Sequence, residues 1–167
     1  VSLIEAIFLL LGLVAVGSAL LVVTTRNMVH AALWLVVTLG AVAGCYLVLT
    51  AEFLAWVQIL IYVGAVVVLL LFALMLTKAP TGPQADLNAG RVVPAAAVAA
   101  LVGGLLVVTV VAGFRGEVID LQGAVVGSAE VTGATIFQQW VLPFEVLSVL
   151  LLAALIGAIA LSRGDDR

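Results

Sequence analysis

Five long apolar runs separated by short polar stretches make up most of this chain: Leu3–Val23, Val29–Leu49, Phe53–Leu76, Val92–Gly113 and Val141–Leu161. Each exceeds the roughly 17 residues that a helix needs to span a hydrocarbon core. The pattern predicts an all-α integral membrane protein of five transmembrane helices in a single membrane domain over residues 1–167. The connections Thr24–Met28 and Thr50–Glu52 leave room only for tight antiparallel turns. Thr77–Arg91 carries turn chemistry in Pro80, Gly82, Pro83, Asp86 and Asn88, and Phe114–Trp140 mixes glycines with Glu117, Asp120 and Glu130. Neither reads as a folded extramembrane module, and no repeat of fixed period is visible.

Composition agrees with lipid as the solvent: 66% of residues are hydrophobic, 9% are charged, and the mean hydropathy is +1.42. The charges fall almost entirely between the runs, so no basic patch for nucleic acid exists. The N-terminus lacks the basic region of a secretory signal, and Leu3 onward reads as a retained helix. Five spans place the termini on opposite sides. Arg26, Lys78, Arg91, Arg163 and Arg167 then share one side against Arg115 alone, which by the positive-inside rule puts the N-terminus outside and the C-terminus in the cytoplasm.

Helices in lipid associate through small residues and a few polar contacts. Gly40 and Gly44 form a GxxxG pair, and Ala153 with Gly157 and Ala154 with Ala158 give similar pairs, although such pairs recur by chance in so alanine-rich a chain. Polar groups inside the runs are costly and are the candidates for function. Gln58 and Tyr62 are four residues apart, which in an α-helix stacks them on one face, with Ala65 and Leu69 continuing the stripe. Tyr62 lies roughly 13 Å beyond Phe53 at 1.5 Å per residue, close to mid-membrane, where its hydroxyl needs a protein or water partner. Gly64 loosens the helix where a bulge or rotation is needed. The bland alternative is that Gly64 admits a neighbouring helix and Tyr62 bonds a backbone carbonyl.

Glu145 follows Pro143, which displaces the carbonyl of Gln139 if the helix begins earlier, so a kink beside a carboxylate is expected. That carboxylate either lies solvated at headgroup level or faces a wet internal path. Glu5 is closer still to a helix end and reads as interfacial. His30 is expected to cap or anchor the second helix at the cytoplasmic interface. One histidine and one cysteine, Cys45, cannot assemble a zinc, haem or iron–sulfur site, and no glycine pattern opens a nucleotide-binding helix.

The segments NMVHAALW at Asn27–Trp34, QILIYVGAVVVLLLFALML at Gln58–Leu76 and WVLPFEVLSVLLL at Trp140–Leu152 resemble subunit J of the bacterial proton-pumping NADH:quinone oxidoreductase, respiratory complex I. The middle segment is the most specific, with Val63 where the family usually carries alanine; Pro143 departs from the family's pattern. The resemblance implies a five-helix subunit with its N-terminus outside, in the bacterial inner membrane, beside the quinone-binding subunit and subunit K. It implies no cofactor in this chain, with FMN, iron–sulfur clusters and quinone held by partner subunits. The family's third helix can carry a π-bulge near the tyrosine and is thought to rotate between states. Tyr62, Gly64, Gln58 and Glu145 are thus the candidates for a proton path or gate, with no catalytic residue in the chain. The alternative is a related subunit of a multi-subunit cation/proton antiporter, and a third class is a lipid-embedded scaffold with no part in ion movement.

Overall fold

The computed structural model describes residues 2–77, 92–116 and 127–163. Among the described residues, five helices are long and apolar enough to cross a membrane: α1 (Leu3–Thr24), α2 (Met28–Val48), α3 (Glu52–Leu76), α4 (Val92–Phe114) and α6 (Val141–Arg163), with a short helix α5 (Ala129–Gln139) before the last. The five spans fall within a residue or two of the apolar runs. One helix not expected from the sequence is α5, within the Phe114–Trp140 connection. Its signals were present: Ser128 caps it by accepting from the amide of Val131, and Glu130 lies in the first turn, where a carboxylate complements the helix dipole.

The helix starts follow from local chemistry. Ser2 and Glu5 form a reciprocal capping box on α1, with Glu5 N donating to Ser2 Oγ at 3.2 Å and Ser2 N donating to a Glu5 carboxylate oxygen at 2.9 Å. α2 is capped by Asn27, whose side-chain oxygen accepts from the amides of Val29 and His30 at 2.9 and 3.3 Å. Of the two roles expected of His30, capping belongs instead to Asn27, which holds the His30 amide, and anchoring is the one left to its side chain. Its imidazole lies on the exposed face with Leu33, Trp34 and Val37.

α2 is the central helix, packed against α1 on one side and α3 on the other. Its buried residues are Ala32, Ala41 and Ala43, small side chains that let backbones approach where lipid offers no hydrophobic drive to association. Of the GxxxG pair, Gly44 does this work: a Cβ there would meet the tip of Leu11 at 3.1 Å, whereas Gly40 faces open space. A polar contact joins the same two helices. Ser18 is buried and donates to the carbonyl of Val14 at 2.7 Å, and Thr38 donates to Ser18 Oγ at 2.8 Å. Among the described residues, α4 packs against no other helix and α6 only against α5. The apolar surfaces of both are exposed along their length, which lipid or protein must cover.

Candidate functional site in the third helix

α3 is regular only at its two ends. Glu52–Val57 and Val68–Leu76 are α-helical, and the ten residues Gln58–Val67 between them form a π-helix. A π turn closes i→i+5 instead of i→i+4, so each such turn inserts a residue relative to the α repeat. The effect is visible in what faces α2. The buried and half-buried positions of α3 run Phe53, Ala55, Val57, Gln58, Val63, Val67, Leu71 and Leu74. After Gln58 four exposed residues intervene before the next inward position, Val63, a step of five where an α-helix would return at Tyr62.

That step separates the residues expected to share a face. Gln58 is 9% exposed and points toward the core, while Tyr62 is 49% exposed. Ala65 and Leu69, the expected continuation of the stripe, are also on the exposed side. The expectation assumed 100° per residue; with one residue inserted, Val63 takes the inward place that Tyr62 would hold in an α-helix. Val63 was not read as significant from the sequence, because nothing in an unbroken run of branched apolar residues marks which one lies inward. The Tyr62 hydroxyl makes no hydrogen bond to another described residue and lies on the exposed side of α3. The Gln58 amide is likewise without a described partner and is not sealed from its surroundings.

Gly64 lies inside the π stretch with nothing from another helix within 4 Å. A neighbouring helix admitted by Gly64 would have to come from another subunit, since no described helix of this chain approaches it. A Cβ at this position would instead meet the carbonyl oxygen of Ile59, five residues earlier in the same helix, at 3.3 Å. The wide turn thus brings a backbone oxygen close to the one residue in the segment with no side chain to collide with it.

Glu145 is not brought to this site. It is exposed on α6, which does not pack against α3, and its backbone carbonyl accepts from Ser148 Oγ at 2.7 Å. The kink expected at Pro143 is instead a complete break. α5 ends at Gln139, Trp140 leaves helical geometry at φ −118°, ψ 29°, and α6 begins at Val141, so proline occupies a first turn where its missing N–H costs nothing. Phe137 and Phe144 pack edge to face across the elbow, with centroids 5.1 Å apart. Ser18 and Thr38 are polar residues of the apolar runs that sequence reasoning passed over, although a search for polar groups at membrane depth should have found them.

The family described as NADH-ubiquinone/plastoquinone oxidoreductase chain 6 matches residues 18–161. The chain belongs to this family. It is 42% identical over 166 residues to F(420)H(2) dehydrogenase subunit J of Methanosarcina mazei, covering 96% of this chain and 91% of that one. NADH-quinone oxidoreductase subunit 10 of Thermus thermophilus is 38% identical over 165 residues, covering 96% and 88%. NAD(P)H-quinone oxidoreductase chain 6 of Leptolyngbya boryana is 37% identical over 163 residues, covering 95% and 79%. The resemblance drawn from the second, third and last spans is borne out.

Proposed function

We propose that this chain is a membrane-arm subunit of a proton-pumping NADH:quinone oxidoreductase, and that α3 helps couple quinone reduction to proton translocation by passing between a π and an α register. The observation that carries the proposal is the five-residue step from Gln58 to Val63 inside the π stretch. Removing the inserted residue turns the downstream half of α3 by about 100° relative to the upstream half. Tyr62 then replaces Val63 on the inward face, four residues from Gln58, and a hydroxyl joins an amide in what was an apolar layer. Two polar groups four residues apart support a chain of waters that one alone does not. Tyr62 in the π register instead offers its hydroxyl to whatever adjoins the exposed side of α3.

Gating here involves no bond chemistry in the chain itself. One histidine and one cysteine do not furnish a set of metal ligands. In keeping with the family, FMN, iron–sulfur clusters and quinone are assigned to partner subunits, among them the quinone-binding subunit and subunit K, and no step of the proposal runs through a cofactor held here. The relatives' names differ in electron donor, F(420)H(2), NADH or NAD(P)H, while the membrane subunit is shared, which fits a role remote from the donor. The antiporter alternative has no observation in its favour.

The inferred setting is a bacterial inner membrane with the N-terminus outside. Gly127 packs on the Thr50–Ala51 turn, so the α2–α3 turn and the connection into α5 share one end of the molecule, as five alternating crossings require. Glu52 and Glu130 then lie outside and Arg26 inside, in accord with the charge count. Affinity purification of the tagged chain from its native membrane tests the assignment. Flavin and iron–sulfur absorbance with NADH-driven quinone reduction should accompany it; a pure complex lacking both chromophores refutes the oxidoreductase reading.

A further inference from the structure

α3 begins without a capping side chain. Its N-cap position is Ala51, which has no oxygen to offer the orphan amides of the first turn. The amide of Phe53 is satisfied from the far part of the sequence, donating to the carbonyl of Gly127 at 3.2 Å. This contact is a close-packed joint. A Cβ on Gly127 would lie 2.5 Å from the Thr50 carbonyl oxygen and 2.7 Å from Ala51 Cα, both backbone atoms that cannot swing aside. Glycine is required at 127 by this approach, since its φ is not positive.

The surface that receives Gly127 is itself held. Thr50 sits at φ 61°, a left-handed conformation unusual for a β-branched residue, and two bonds close the turn: Thr50 N to Leu47 O at 3.0 Å and Ala51 N to Tyr46 O at 2.9 Å. The other end of α3 is looser. Beyond the π stretch only Leu71 and Leu74 are even half-buried, and a groove of about 220 Å³ separates Leu70 and Leu74 from Val22, Met28, Ala32 and Leu35 on α1 and α2.

We infer that Gly127 is a positioning residue: its carbonyl caps α3 from outside and anchors the Glu52–Val57 segment, so that any change of register turns only the part beyond the π stretch, into the groove. The inference rests on the two-register reading proposed above. It also gives α5 a role as the strap that ties the last span to the base of the third.

Hydrogen exchange on the assembled complex tests this, comparing the resting enzyme with the enzyme turning over NADH and a short-chain quinone. Peptides within residues 51–57 should exchange equally slowly in both states, while those within 63–76 change by at least about threefold. Gly127→Ala should speed exchange at residues 52–54 by about fivefold, the loss expected of a missing cap, and carry the state dependence into that segment. Gly133→Ala, within α5 and with nothing within 4 Å, should match wild type. The inference is overturned if residues 51–57 in the wild type change with state as much as 63–76, a comparison that needs no variant. Unaltered exchange at 52–54 in Gly127→Ala overturns the cap. If no part of α3 changes between states, the two-register reading itself fails and the confinement with it, whereas the contrast between the two glycine variants still decides the cap.

Discussion

The substitution Gly64→Ala probes the register of α3 directly. Alanine relieves the backbone entropy cost of glycine in any helical state, on the order of 1 kcal/mol, but that gain is common to the π and α forms and cancels between them. What differs is the contact with the Ile59 carbonyl oxygen. In the π form the new Cβ lies 3.3 Å from it, a few tenths of an ångström inside ordinary contact, and the oxygen is backbone. Forcing one methyl against a fixed atom costs about 1 kcal/mol, the low end of overpacking penalties. That biases the equilibrium toward the α register by roughly fivefold. Gly64→Val adds two methyl groups with a restricted χ1 and should cost about 2–3 kcal/mol, a bias of roughly 30- to 150-fold. The expected result is a graded loss, Val beyond Ala, of NADH-driven quinone reduction or proton pumping in reconstituted vesicles. Electron transfer from NADH to an artificial hydrophilic acceptor should stay unchanged. The fraction of α register in structures of the assembled variants should rise in the same order. If both variants assemble, keep the π stretch and couple as wild type does, the register of α3 is not the gate.

Tyr62→Phe removes only the hydroxyl and should slow pumping or quinone reduction severalfold, with assembly and artificial-acceptor activity intact; unchanged coupling would leave Tyr62 a packing residue. Glu145→Gln separates its two readings: reduced pumping in a fully assembled complex places the carboxylate on a wet path formed with another subunit, and unchanged pumping returns it to the interface. Thr38→Val deletes the hydrogen bond to Ser18 between α1 and α2 and should destabilise the chain by about 0.6–1 kcal/mol, measured as a lowered midpoint of thermal unfolding in detergent; a midpoint equal to wild type would show that Ser18 is satisfied by Val14 alone.

The five spans were legible because the demand that lipid imposes is local: a run of apolar residues long enough to cross must pair every backbone group within itself, and helix is the form that does so. The caps at Ser2 and Asn27 are as local, a side-chain oxygen meeting amides two or three residues on, yet they were not read, and the cap of α2 was sought at His30. The short helix α5 escaped because its eleven residues are too few and too polar for a span, although Ser128 and Glu130 signalled its start.

Sequence by itself thus determined the class, the number and limits of the spans, and the third helix as the place where a tyrosine and a glycine break an apolar run. Tertiary structure decided which way those residues face. Gly64 and the family resemblance pointed to a bulge near Tyr62, but in a run of valines and leucines no side chain announces which residue it turns inward, so the separation of Gln58 from Tyr62 appears only when the inward face is traced. The cap on α3 is hidden for a complementary reason: its donor and acceptor, Phe53 and Gly127, are far apart in the chain, and only the fold brings them within a hydrogen bond.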